Sequence, residues 1–162
     1  MVTQVQDDIK LTAIGGETRT VAEWLTTFQL ITVVLDPYTK ESAWLLATAA
    51  RFLTHFQGAD CRVALTVTAD EADTRRFLGP LTKDLLVFTD PKREFVKALD
   101  IEALPALVYL RQDLAVIGQA EGWNPTEWEQ IGQLAAKVTS WSYPQLGLNG
   151  DPGPFAGSPA QG

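Results

Sequence analysis

The run Ile31-Thr-Val-Val-Leu35 breaks at Asp36-Pro37, and a long helical pattern begins within a few residues. This one stretch constrains the fold more than any other, because a β-branched run of that length fits a buried strand and the helix must start at once beyond it. The first turn of such a helix carries unpaired N–H groups and partial positive charge. In many α/β proteins chemistry sits at that corner. Here the corner is Asp36-Pro37-Tyr38-Thr39-Lys40-Glu41-Ser42-Ala43-Trp44.

Around this centre the pattern alternates. Ile9, Leu11 and Ala13 alternate with polar residues up to Gly15-Gly16, and Thr18 to Val21 follows, which predicts a hairpin. Thr20 and Glu23 have capping-box spacing and predict a short helix through Trp24 and Leu25. After the central strand, Leu45, Ala49, Phe52, Leu53 and Phe56 recur at helical spacing until Gly58. Cys61, Val63, Leu65 and Val67 mark a second strand, and Thr68-Ala-Asp-Glu71 reads as the capping box of a helix to about Leu78. A short strand from Leu85 to Phe88 precedes Asp90-Pro91, read as an N-cap followed by proline at the first helical position, with a helix to about Leu99.

Leu104 to Leu110 is a further apolar strand, turned at Gln112-Asp113 into a pairing strand from Leu114 to Ala120. Asn124-Pro-Thr-Glu127 then opens a last helix, on which Trp128, Ile131, Leu134, Ala135, Val138 and Trp141 share a face. This order implies an α/β fold: a central mixed sheet, parallel where strands alternate with helices, with an N-terminal β-hairpin and a late antiparallel pair. Residues 1–141 are read as one domain. Residues 142–162, rich in glycine and proline, are read as an irregular or disordered tail.

Charge narrows the partners. The formal net charge is −7 and the pI about 4.6, so phosphate backbones and anionic lipid are repelled and neither nucleic acid nor membrane is an expected partner. The apolar helical patch from Ala43 to Ala50 is too short to span a bilayer. The first residues, Met-Val-Thr-Gln-Val-Gln-Asp-Asp, have neither a basic nor an apolar signal region, so the cytoplasm is the expected location. One cysteine, Cys61, cannot form an internal disulfide and says nothing of redox compartment.

The hairpin with Gly15-Gly16, the strand Val33-Val34-Leu35 entering a long helix, Phe88-Thr-Asp-Pro91 before a helix, Ala103-Leu-Pro105-Ala-Leu-Val-Tyr-Leu110, and Arg111-Gln-Asp113 followed by Gly118 resemble a thioredoxin-like protein. The resemblance covers about residues 8 to 141 and is nearest to the redoxin branch holding TlpA-type and peroxiredoxin-type proteins. It implies a thioredoxin-like fold, with Pro105 at the family's cis-proline position beside the corner; the plainer role for Pro105 is to start a strand. The family's enzymes carry Cys-x-x-Cys or a lone nucleophilic cysteine at the corner, where this chain has Tyr38-Thr-Lys-Glu-Ser-Ala43. Hydroxyl groups neither form a disulfide nor reduce a peroxide, so the family's thiol activity is not carried over.

No substitute chemistry stands out. Ser42 as nucleophile needs a base, and the only histidine, His55, lies thirteen residues on, about 20 Å along the same helix. Lys40, next to Glu41, reads as a solvated helix start. Asp36 is either a buried carboxylate suited to proton transfer or, by analogy with Asp90-Pro91 and Asn124-Pro125, an N-cap. Cys61 shares a face with Val63 and Leu65 and reads as a buried small hydrophobe, a reactive thiol being the alternative. One His and one Cys cannot supply an ordinary zinc site, no glycine-rich phosphate loop follows a strand, and no cofactor is expected.

Five tryptophans, Trp24, Trp44, Trp123, Trp128 and Trp141, suit core packing, while Trp44 and Trp123 are also candidates for an aromatic surface near the corner. The expected function is binding to another protein, as an assembly factor, chaperone or accessory subunit, through a corner of Asp36, Pro37, Tyr38, Thr39, Lys40, Ser42, Trp44 and Pro105. The alternatives are an enzyme or small-ligand binder using that corner, or a sensor thiol at Cys61; homo-oligomerisation stays open. In the tail, Tyr143, Leu146, Leu148 and Phe155 are apolar anchors. They either dock back on the domain, serve as an extended recognition peptide, or belong to a solvated terminus. As a recognition peptide, the tail is removable with the melting temperature nearly unchanged.

Overall fold

The central strand β3 (Gln29–Leu35) is buried on both faces, as a strand flanked by strands and covered by helices must be. Its side chains alternate: Ile31, Val33 and Leu35 enter one core, Leu30 and Val34 the other. The computed structural model describes residues 2–142, 146–147 and 150–161. Ahead of β3 come β1 (Lys10–Ala13), β2 (Thr18–Thr20) and the short helix α1 (Val21–Trp24), whose capping box between Thr20 and Glu23 is formed as expected.

After β3 follow α2 (Lys40–His55), β4 (Cys61–Val67), α3 (Glu71–Leu78), α4 (Leu81–Asp84), β5 (Leu86–Thr89) and α5 (Glu94–Ala98). Then come β6 (Ala103–Leu104), β7 (Ala106–Leu110), β8 (Val116–Glu121), α6 (Pro125–Thr139) and β9 (Ser158–Pro159). Seven strands form one mixed sheet in the order β2-β1-β5-β4-β3-β7-β8, and β6 and β9 make a separate two-stranded pair. β3 runs parallel to β4, with Ile31 opposite Val63 and Leu35 opposite Val67, and antiparallel to β7, with Val34 opposite Ala106.

The first core contains Leu45, Phe52 and Leu53 of α2 and its C-cap residue Phe56, together with Trp128, Ile131 and Ala135 of α6. The second contains Trp24 of α1, Phe95 and Val96 of α5, and Phe88, Leu104 and Val108. Two hydroxyls inside the sheet satisfy each other: Thr32 and Thr66, both fully buried, lie 2.8 Å apart through their Oγ1 atoms. Of the five tryptophans, Trp24, Trp123 and Trp128 are core residues, whereas Trp44 and Trp141 are exposed.

Two local expectations are corrected, and one helix is added. The N-cap of α3 is Asp70, which accepts from Asp73 N; Thr68 instead donates its hydroxyl to Leu35 O across the sheet end. The helix after Asp90-Pro91 starts only at Glu94, with left-handed Arg93 as its cap residue, although the Asp90 carboxylate still reaches back to Phe95 N and Val96 N. The added helix, α4, carries no buried residue, so no apolar periodicity marks it in the sequence.

In the tail, Tyr143 and Leu148 lie outside the described residues. Leu146 is buried, with its N–H on Glu129 of α6. Further on, Trp123 and Phe155 exchange two backbone hydrogen bonds, Ser158–Pro159 pair with β6, and Ala160 is fully buried in the second core. The described tail residues are therefore laid against the domain. A segment without a core of its own has borrowed one.

Candidate functional site

β3 ends at Leu35 because Pro37 two residues later cannot continue the ladder. Asp36, 4% exposed, ties the corner together. Its Oδ1 accepts from Tyr38 N at 3.0 Å, its carbonyl accepts from Thr39 N and Thr39 Oγ1, and its own N–H donates to Ser42 Oγ at 2.9 Å. Its Oδ2 accepts from Arg93 Nη2 at 3.0 Å, and the pair is largely shielded from solvent. Asp36 is thus not the helix N-cap; that position is Thr39, whose side chain makes no capping bond. The carboxylate instead closes an Asx-type turn and anchors Arg93.

Ser42 is fully buried, and its oxygen receives the Asp36 N–H, so it serves the backbone, and among the described residues no side chain is hydrogen-bonded to it. His55 stands at the far end of α2, with Nε2 2.9 Å from Ser142 O. Lys40 is exposed. Tyr38 is 66% exposed and donates its hydroxyl to Asp73 of α3, an interaction that raises its pKa. Beside it lies a shallow depression of about 260 Å³ lined by Pro37, Tyr38, Asp73, Arg76 and Phe77. Trp44, 57% exposed, meets Phe155 edge-to-face at 5.9 Å between ring centroids.

Pro105 is buried, and the peptide bond before it is cis. Because Val34 lies opposite Ala106, Pro105 falls beside the end of β3, one step from Asp36. Its carbonyl accepts from Gly122 N at 2.8 Å. The tail crosses at this point: Phe155 lies between Trp44 and the Trp123 backbone, Gly157 passes over Leu104 and Gly122, and Arg93 Nη1 donates to Ala160 O. The structure thus gathers Asp36, Ser42, Tyr38, Trp44, Pro105 and Phe155 at one end of the sheet. Leu146 lies apart, against α6.

Cys61 is placed elsewhere. It begins β4 opposite Gln29, six residues from the strand end at Val67, so about 20 Å separates it from the corner. Burial pushes its thiol pKa up to about 11, with the Asp60 charge adding to the shift. A thiol of that kind is a poor nucleophile.

Arg93 was not visible from sequence. Nothing in Pro91-Lys-Arg-Glu94 distinguishes it from a solvated cation, and only the left-handed backbone at its position turns its guanidinium to Asp36. The other missed residues are Asp151, which accepts from Thr48 Oγ1 and from Arg51 Nη2 on α2, and Ala160. No group of three or more His, Cys, Asp or Glu side chains suited to a metal occurs among the described residues. Nor, among them, is any helix long and apolar enough to cross a membrane.

No protein-family model matches the sequence, and no curated protein does. Solved structures do match. The exposed lipoprotein thioredoxin of Streptococcus pneumoniae superposes with a TM-score of 0.63 at 16% identity, covering 80% of this chain and 98% of its own. The bacterioferritin comigratory protein of Xanthomonas campestris, described for alkyl peroxide reduction, gives 0.64 at 12% identity over 88% of this chain and 98% of its own. A hypothetical protein of Sinorhizobium meliloti gives 0.66 at 14% identity and covers 99% of this chain and 94% of its own. At such identities the likeness concerns the fold. The chain has a thioredoxin-like fold with an N-terminal hairpin, and its single cysteine leaves no Cys-x-x-Cys pair.

Proposed function

We propose that this thioredoxin-like protein has no thiol chemistry and works by binding another protein, as an assembly factor, chaperone or accessory subunit. The observation that carries this reading is the division of labour at the corner. Asp36, Thr39 and Ser42 are all committed to backbone groups or to Arg93, while the large side chains of Tyr38 and Trp44 stand exposed beside them. Polar groups already satisfied within the fold have little left for catalysis, whereas exposed aromatic side chains are enriched where proteins bind.

Affinity capture of the full chain from its native cells, followed by mass spectrometry, tests the proposal. A stoichiometric protein should follow the wild type and be lost with Tyr38→Ala plus Trp44→Ser, but kept with Leu134→Ser on α6. Disulfide-reductase or peroxidase turnover that Cys61→Ser abolishes would overturn it.

A further inference from the structure

The last residues of the chain are bound as a peptide ligand is bound. Ala103 and Leu104 form an edge of only two residues, whose partner is not a strand of the main sheet but Ser158 and Pro159, antiparallel, with Leu104 opposite Ser158. Ala160 N donates to Glu102 O at 3.0 Å, extending the pairing by one residue. The Glu102 and Ala103 amides are held separately, by the Glu121 carboxylate at 2.8 and 2.9 Å, so the edge is shaped by the domain rather than by the tail. Side chains are read at fixed intervals: Phe155 against Trp44, and Ala160 fully buried.

Two glycines make the approach possible. A Cβ on Gly157 (φ +91°) would lie 2.6 Å from Leu104 O, and one on Gly122 (φ +71°) would lie 2.5 Å from Ala156 O. The strap thus needs a glycine two residues after its aromatic anchor and a small residue three further on. Main-chain pairing to a sheet edge, with pockets for spaced side chains, is the way extended peptides are recognised by strand addition.

We propose that residues 155–161 are a releasable strap over a peptide-docking edge, and that a partner's extended segment of the same chemistry replaces it: an aromatic residue, then glycine, then alanine or serine, without charge between them. This rests on the protein-binding reading and names the kind of partner. Between Phe155 and Ala160 the chain's own ligand carries no charged side chain, and the full burial of Ala160 disfavours a charged residue in its place. The tether gives the strap the advantage of an intramolecular ligand, so a free peptide competes only when the strap is weakened.

The probe is a synthetic peptide of residues 153–162, labelled at its N-terminus and titrated by fluorescence anisotropy against the full chain. Wild type should bind it at least tenfold more weakly than Gly157→Val, whose own strap cannot seat. An Ala160→Arg version of the peptide should not bind Gly157→Val. Equal binding to both proteins, or none to a folded Gly157→Val, overturns the strap. Should Gly157→Val fail to fold, hydrogen exchange on wild type decides: the Ala160 and Phe155 amides should exchange at least a hundredfold faster than those of β3, and exchange at the same rate as β3 sinks the proposal. A concentration-dependent wild-type dimer held by exchanged tails would make a second copy the occupant and overturn the partner assignment. No cellular partner enters these measurements, so their failure leaves the capture result at Tyr38 and Trp44 standing or falling separately.

Discussion

Two strands of the same sheet end in the same dipeptide, and the ends are put to different use. β3 runs into Asp36-Pro37 and β5 into Asp90-Pro91, and both carboxylates are 4% exposed. Asp36 gives one oxygen to Tyr38 N and the other to the Arg93 guanidinium. Among the described residues no guanidinium pairs with Asp90; its Oδ2 accepts from Phe95 N and Val96 N at the start of α5, and burial raises its pKa even though those bonds pull the other way. The local sequence sets the break in the strand. What the carboxylate becomes depends on which long-range group is delivered to it.

The largest expected effect falls on the first corner. Arg93→Ala leaves the Asp36 carboxylate buried without its cation and removes the bond to Ala160 O, a loss of about 3 kcal/mol. Urea denaturation should show a lower midpoint at unchanged slope. A midpoint unaltered by Arg93→Ala would mean that the pair contributes nothing to the distinction between the two corners.

Removing residues 143–162 comes next, because the strap supplies the Ala160 carbonyl that shares the Arg93 guanidinium with Asp36. Burial of Leu146 alone is worth about 2 kcal/mol, and loss of Ala160 and Asp151 adds to it, so the melting temperature should fall by several degrees. This reverses the expectation for a tail without a docking place. Hydrogen exchange should quicken at Arg93 and Asp36 and stay unchanged at Phe88 and Asp90; uniform quickening would erase the difference between the corners.

Much of this architecture was legible. Strong periodicity marked β3, α2, β4 and α6, and the Asn124 cap holds as read, accepting from Thr126 N and Glu127 N. Errors arose where two local patterns competed. Thr68 and Asp70 both precede carboxylates at capping distance, and only the pull of Leu35 O on the Thr68 hydroxyl decides between them. The roles of the corner residues were not readable, since Ser42 looks like a nucleophile until its oxygen is found on Asp36 N. The course of the tail stayed open in the sequence because composition reports whether a segment can build a core, not whether it can lie on one. Trp44, Thr48 and Arg51 occupy one helix face at spacings of four and three, and that face meets Phe155 and Asp151.

Ser42→Ala is a smaller perturbation of the same corner. It leaves the Asp36 N–H buried without an acceptor, which costs about 1–2 kcal/mol. If Ser42 has this role alone, Ser42→Thr should restore less than half of the loss, because its extra methyl must fit a fully buried site. Full binding of a captured partner by Ser42→Ala would confirm that the hydroxyl acts on the fold only, whereas a folded variant that fails to bind would make Ser42 part of the interface.

The smallest effect is expected at the second corner, in Asp90→Asn, and its sign depends on pH. The folded protein holds the Asp90 proton more tightly than the unfolded chain does, because burial disfavours the charged form more than the backbone bonds favour it. The favourable contribution of this group is therefore fully present below the ordinary aspartate range and is lost as pH rises through the raised value. Asparagine keeps an oxygen for Phe95 N and Val96 N but has no proton to lose. Relative to wild type, Asp90→Asn should gain stability as pH rises from acid conditions and then run level with further increase toward neutrality. The comparison with Asp36→Asn sharpens the point: that change strips Arg93 of its counter-charge and should destabilise throughout the neutral range, by more than Asp90→Asn does at any pH. Parallel urea titrations of the two variants from acid to neutral pH decide it. Equal losses in both would show that the two Asp-Pro corners are interchangeable after all, and that Arg93 is no more than a packing residue.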